Sequence, residues 1–279
     1  MSTKIYIPDG LIKKGWLALW KDMFRELLEA KELIMRLFIR DFLGSYKQSV
    51  LGMFWIVIKP LTLIGMFIFM NRSGILNIGE TPIPYPAYAI LGLTIWQLFA
   101  SGIIGCTNSI INAGNMVAKI NFPKEALVIS SFAHAFFDFL ISLVFVMIVF
   151  ALYKVIPSWK IILFPFLLIP LILFTFALGF IFSLFNTIVR DTVNIVNLGT
   201  TFFLFITPVL YPTPKTRLFA YLSRYNLLDA LVNEPRNLII NGQLKEAYRY
   251  FGATCLVVVI FLLSWRVFHL SEPRLAERI

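Results

Sequence analysis

Side chains able to do acid–base or metal chemistry are scarce in this sequence. His134 and Asp138 stand four residues apart in an apolar stretch, and so share one face of a helix. They could form a gate, although a buried polar contact between helices is the preferred interpretation. A GxxxxGK(S/T) nucleotide loop, an HExxH motif and a metal-spaced Cys/His cluster are all missing. The residue types therefore argue against an enzyme or a proton relay, and we expect no metal.

Three cations stand around the start of the first long apolar run. Arg40 and Lys47 precede it, and Lys59 lies within it, directly before Pro60. Lys and Arg are natural partners of phosphate oxygens, so the three could bind a phosphate group. Arg40 and Lys47 could equally anchor the chain at the cytoplasmic face of a membrane. A lysine as deep in a membrane span as Lys59 costs free energy unless it snorkels, pairs or faces water. This cost favours a functional role for Lys59.

The composition places these residues in a membrane protein. Of the 279 residues, 59% are hydrophobic and 14% are charged, whereas soluble domains average about 25% charged. The net charge of +10 does not indicate nucleic acid, because the basic residues cluster at the ends of apolar runs. Membrane topology and anionic lipid explain that placement better.

Apolar runs near the ~20 residues that a bilayer requires predict an all-α integral membrane fold with six transmembrane helices. The predicted spans are 52–70, 88–111, 126–152, 161–185, 192–210 and 251–268. Residues 11–37 repeat apolar positions at helical spacing, with charges on the other face, which predicts a helix in the membrane interface. A helix packed on a partner protein is the alternative. Two short interfacial or re-entrant helices are expected between residues 216 and 240, before the last span.

The division into domains and the orientation follow from these spans. We expect a cytoplasmic N-terminal segment at 1–50, a six-helix transmembrane domain at 51–270 and a cytoplasmic tail at 271–279. Lys and Arg are more numerous near the span ends that would be cytoplasmic if both termini lie inside. The bias is modest, because the last outer loop is itself basic.

Several short motifs, in order along the chain, resemble a known family. They are Arg40-Asp41, residues 46–52 with Trp55 and Pro60, Phe122-Pro123-Lys124-Glu125, Arg190-Asp191, and residues 207–212. Together they resemble ABC-2-type permeases that export polysaccharides such as O-antigen, capsule and teichoic acid. The chain departs from that pattern at Leu227, where the family has proline, and at Lys59, where it has a neutral residue.

The resemblance implies a transport subunit without catalysis of its own. It implies a homodimer joined by two copies of a P-loop ATPase, which would hold ATP and Mg, with no cofactor in this chain. The cargo would be a polyisoprenoid-diphosphate-linked glycan, moved across the bacterial cytoplasmic membrane. Six spans with few polar side chains cannot line a wide conduit alone, and a path between two copies would need only one polar or aromatic face from each.

The resemblance also assigns candidate residues. Residues 112–125 resemble the coupling helix that contacts the ATPase, and an ordinary cytoplasmic turn is the alternative. Its central candidates are Ala118, Lys119, Ile120, Asn121, Phe122, Pro123, Lys124 and Glu125. Arg40, Lys47 and Lys59 would meet the cargo diphosphate. Five aromatics could pack on sugar rings, although a membrane-interface belt or simple packing is favoured for most: Trp55, Tyr85, Tyr88, Trp96 and Phe99.

The residues alone leave other functions open. An ABC-2 permease for a drug or a lipid would share most of these motifs. A membrane-bound glycan enzyme or a proton-driven flippase would need acidic residues within the membrane, and Asp138 is the one intramembrane carboxylate that the spans include.

Overall fold

The computed structural model describes residues 16–47, 51–75, 79–114, 116–117, 122–212, 221 and 223–275. Within these residues the regular secondary structure is helical, as predicted. The helices are α1 (Trp16–Glu29), α2 (Lys31–Lys47), α3 (Trp55–Arg72), α4 (Tyr85–Ala113), α5 (Glu125–Leu152), α6 (Phe164–Ile188), α7 (Thr192–Ile206), α8 (Leu227–Asn241) and α9 (Ala247–Leu275). Short 3₁₀ turns at Gly52–Phe54 and Trp159–Leu163 precede α3 and α6.

Four helical stretches in the described residues are long and apolar enough to cross a membrane: Tyr85–Ala113, Glu125–Leu152, Trp159–Ile188 and Ala247–Glu272. The other two predicted spans correspond to shorter apolar helices, Trp55–Met70 and Thr192–Ile206. With 15 residues, α7 is about 22 Å long, less than the ~30 Å of a hydrocarbon core. The sequence places its end at Leu210, but the helix stops at Ile206, because Pro208 cannot continue it. A multi-pass membrane protein is therefore supported, and six full spans are not established.

Helix α4 forms the centre of the bundle. In the most apolar 18-residue stretch of α4, 78% of the residues are buried, against 22–33% in the same length of the other three long helices. It packs along α5 and α6 and also contacts α7 and α3. Helix α4 is the least apolar of the four, and its glycines and small polar residues let neighbouring helices approach closely, which fits its position in the core.

The N-terminal amphipathic segment contains two helices where the sequence predicts one. The break falls at Ala30, between α1 and α2, and residues 11–15 lie outside the described part. Apolar spacing is the same on both sides of Ala30, so periodicity alone could not locate the break. Phe42 of α2 packs edge-on against Phe137 of α5, at 4.7 Å between ring centroids. Leu28 and Met35 stay 70% and 57% exposed, which fits a helix pair covered by a membrane interface or by a partner protein.

Of the two short helices expected before the last span, the second is α8, and most of the first lies outside the described residues. The Asn226 side chain caps α8 by accepting from the Leu228 N–H at 3.0 Å. Gly242, with φ of 70°, ends it. Helix α8 packs against α6, α9 and α4, and buries even Asp229 and Glu234. It is thus packed on three helices of the bundle, and its predicted place, interfacial or re-entrant, stays a prediction.

Candidate coupling segment and membrane groove

The candidate coupling segment connects α4 to α5. Helix α4 ends at Ala113, and Gly114 takes a φ of 50°, which turns the chain out of the helix. Residues 118–121, the middle of the predicted coupling helix, lie outside the described residues. Phe122, Pro123, Lys124 and Glu125 are described, and α5 starts at Glu125.

The end of this segment is held against the protein. Lys124 is 4% exposed, its Nζ donates to the Phe122 carbonyl at 3.1 Å, and it lies 4.1 Å from the centre of the Phe122 ring. Burial lowers the pKa of Lys124, while nearby Glu272 and Glu125 favour its charged form. The described part of the segment is therefore packed and fixed, unlike a simple solvated turn.

Glu125 meets the far end of the chain. Its Oε1 lies 2.8 Å from Nδ1 of His269 in α9, and both side chains are almost fully buried. The backbone N–H of Lys124 donates to Glu272 at 2.8 Å. Glu125, His269 and Glu272 keep one ligand atom each within 4.8 Å of one another, so they could share a proton or a cation. Sequence reasoning missed this cluster, because 144 positions separate Glu125 from His269 and no local pattern connects them.

A groove of about 540 Å³ lies between α3, α4 and α5. It brings together Lys59 and the pair of His134 and Asp138, which the sequence singled out as unrelated features. His134 Nδ1 lies 3.6 Å from Asp138 Oδ2. The polar lining consists of Lys59, Gln97, Ser101, His134, Asp138 and Ser142. The groove thus offers a cation, an acid and neutral hydrogen-bonding groups within a largely apolar bundle.

The structure separates the three candidate cations. Lys59 is exposed and lines the groove. Arg40 forms an ion pair with Asp41 at 2.7 Å, and its guanidinium lies 4.0 Å from the Met116 sulfur, beside the coupling segment. Lys47 ends α2, and its side chain lies outside the described part. A joint phosphate site for all three stays a prediction.

The five candidate aromatics also occupy different environments. Trp55 is 44% exposed and lines the groove, and Tyr85 is half-buried. Tyr88 lies beneath the Arg236 guanidinium, which is 4.0 Å from the ring centre. Trp96 and Phe99 are 2% and 3% exposed and pack on each other, and Phe99 also lines a second, apolar cavity of about 450 Å³. In the isolated chain, Trp55 is the most accessible of the five, and sugar contact stays a prediction for all of them.

An exposed polar stripe on α7 was missed in the sequence. Asn194, Asn197 and Thr201 are three and four residues apart, so they share one helical face, and all three are exposed. Polar amides facing lipid are costly, which indicates that this face meets another chain or water. Their spacing can be read from the sequence, but the run as a whole is strongly apolar, so its few polar residues did not stand out.

Arg236 fixes the non-helical stretch that follows α7. It is 3% exposed and donates to the carbonyls of Val209 at 2.6 Å and Pro208 at 3.1 Å. Asn226 donates to the Thr207 hydroxyl at 2.8 Å. The first three residues of the motif at 207–212 are therefore held by α8 and the residue that precedes it.

Comparison with known proteins supports the resemblance to ABC-2-type permeases that the motifs indicate. A family model described as ABC-2 type transporter matches residues 32–236. An "O-antigen export system permease protein RfbA" of Klebsiella pneumoniae is 29% identical over 255 residues, 88% of this chain and 94% of the relative. A protein of the same name from Myxococcus xanthus is 25% identical over 264 residues, 92% of this chain and 99% of the relative. Since the family model covers well over half of the sequence, this chain belongs to the ABC-2 type transporter family, as a membrane transport subunit that works with an ATPase subunit.

Proposed function

We propose that this chain is the transmembrane subunit of an ATP-driven exporter that moves lipid-linked polysaccharide across the bacterial cytoplasmic membrane. The observation that carries the proposal is the similarity to proteins named O-antigen export permeases, which extends over 88–92% of this chain. Capsule and teichoic acid polymers belong to the same cargo class. ATP and Mg would bind to the partner ATPase, and both termini of this chain would be cytoplasmic.

The transport path would lie between two copies of the chain. One bundle has a tightly packed centre at α4 and carries exposed polar groups at the α3–α5 groove and on α7. Pairing these faces across a two-fold axis would turn two partial surfaces into one polar path. The exposed apolar side chains of α3, such as Met66 and Phe69, would be covered in the same interface or by lipid.

The candidate residues take their roles from this arrangement. The segment that contains Ala118, Lys119, Ile120 and Asn121 and ends at Glu125 would contact the ATPase. Lys59 would attract the cargo diphosphate, with Asp138 nearby, while Arg40 and Lys47 would act at the cytoplasmic entrance. Trp55 is the aromatic best placed to touch sugar rings, because it is exposed in the groove.

A complementation experiment tests the proposal. In a strain that lacks its own export permease and accumulates lipid-linked glycan inside, the chain is expressed with its ATPase partner. We expect glycan to return to the cell surface, and to stay inside when the P-loop lysine of the ATPase is changed to Ala. Surface glycan that returns without a working ATPase would contradict the proposal. Restored efflux of a drug or a lipid, with glycan still trapped inside, would favour the alternative cargo.

A further inference from the structure

At the end of the bundle that the proposed function places in the cytoplasm, four residues form what we call the inner cluster: Lys124, Glu125, His269 and Glu272. Two contacts of 2.8 Å join the coupling segment to α9, one from Glu125 to His269 and one from the Lys124 N–H to Glu272. Glu125 and His269 are 3% and 2% exposed, so water competes little for their hydrogen bond. The contact is therefore specific and shielded.

The two helices that the inner cluster joins have different packing partners. Helix α5 packs mainly on α4 and α2, whereas α9 packs mainly on α6 and α8. A displacement of the coupling segment reaches α4 and α5 through the chain itself, since it is continuous with both. It reaches α9 through non-covalent contact, because Glu125 and His269 are 144 positions apart.

The same end of α9 also holds the N-terminal helix. Trp265, one turn before His269, packs edge-on against Trp20 at 5.6 Å and Phe24 at 4.9 Å between ring centroids. Both rings belong to α1. Whatever moves the His269 end of α9 therefore also acts on α1.

We propose that the inner cluster is a mechanical latch, which carries movement of the coupling segment to α9 and, through Trp265, to α1. The inference rests on the proposed function, because it assumes that an ATPase moves this segment. His269 and Glu272 are positioning residues in it: they hold α9 to the segment and touch neither ATP nor cargo.

The test uses the permease with its ATPase in proteoliposomes and measures the glycan moved per ATP hydrolysed. We expect His269→Ala and Glu272→Ala to insert, to bind the ATPase and to keep its basal hydrolysis. The transport ratio should fall about two- to thirty-fold, the range seen when residues that couple two sites are changed. Ser271→Ala is the matched control, because Ser271 is only partly buried and its hydroxyl donates to Val267 of its own helix.

An exchange of partners separates a specific contact from general damage. Glu125→His and His269→Glu should each lower the transport ratio, and the double variant should recover most of it, since one carboxylate–imidazole bond is restored. If the double variant is no better than the singles, the latch is refuted. The same holds if transport falls only in proportion to lost insertion or lost ATPase binding, because the cluster would then serve assembly alone.

The outcomes also separate this inference from the proposed function. If the wild-type complex moves no glycan with ATP, the proposed function fails. If wild type transports and His269→Ala transports equally well per ATP, the proposed function stands and the latch alone fails.

Discussion

The two ends of α9 are attached in different ways. At the first end, Arg249 pairs with Asp229 at 2.8 Å and donates to the carbonyls of Ser223 and Asn226, the latter at 3.0 Å. Tyr250 donates to the Leu167 carbonyl at 2.8 Å. At the other end, His269 lies between Glu125 at 2.8 Å and Glu272 at 3.8 Å, and among the described residues Oε2 of Glu125 has no hydrogen-bond partner.

This difference indicates a fixed end and an adjustable end. Around Arg249 several donors and acceptors are matched, so movement would break many bonds at once. Around His269, two contacts of 2.8 Å join α9 to the coupling segment, and Oε2 of Glu125 has no hydrogen-bond partner among the described residues, so this end of α9 can move together with the segment at less cost. The fixed end lies beside α8 and residues 207–212, and the adjustable end lies beside the coupling segment.

Arg236 gives the largest expected effect at the fixed end. Arg236→Ala should lower the free energy of unfolding by about 3 kcal/mol, since two backbone carbonyls lose their donor in a buried site. Arg236→Lys should recover part of the loss, because an ammonium cannot reproduce the guanidinium fork. Denaturant unfolding in detergent measures this, with exposed Arg224→Ala as the control. If the Ala variant were as stable as wild type, this end of α9 could not be called the fixed end.

Gly92 tests the packing of the same region. A Cβ there would lie 2.7 Å from the Val209 oxygen and 2.8 Å from Nη1 of Arg236. Gly92→Ala should therefore cost about 1–3 kcal/mol through overpacking. Gly65→Ala is the control, because nothing lies within 4 Å of its added Cβ. A gain in stability for Gly92→Ala would mean that the Arg236 contacts are looser than described.

His269 should matter less for stability than for transport. His269→Gln is expected to cost about 1 kcal/mol, because the glutamine amide can still donate to Glu125. The same unfolding measurement checks this against Arg236→Ala. If the His269 change proved the more costly of the two, the assignment of fixed and adjustable ends would have to be reversed.

Lys59 should have the smallest effect on stability. Lys59→Met should change the free energy of unfolding by no more than about 0.5 kcal/mol, since the side chain is exposed. Binding of the lipid-linked glycan to the permease should nevertheless weaken, with Lys21→Met, another exposed lysine, as the control. Normal glycan binding by Lys59→Met would remove this residue from the candidate site.

The sequence predicted the long helices closely, because hydropathy and length are local properties. The third predicted span, 126–152, is observed as Glu125–Leu152, and the second, 88–111, as Tyr85–Ala113. It could not predict the pairing of Glu125 with His269 or the burial of Arg236, since both depend on contacts between distant parts of the chain. Arg236 lies between the fifth and sixth predicted spans, in the segment that the sequence predicts to be a basic outer loop, yet its side chain is 3% exposed and donates to the Val209 carbonyl.

The most direct test of the central claim is reconstitution of the purified permease in liposomes, with and without its ATPase, with lipid-linked glycan supplied on one face. The account predicts glycan movement to the other face only when the ATPase and ATP are both present, and no ATP hydrolysis or sugar transfer by the permease alone. Movement without ATP, or catalysis by the isolated chain, would contradict it.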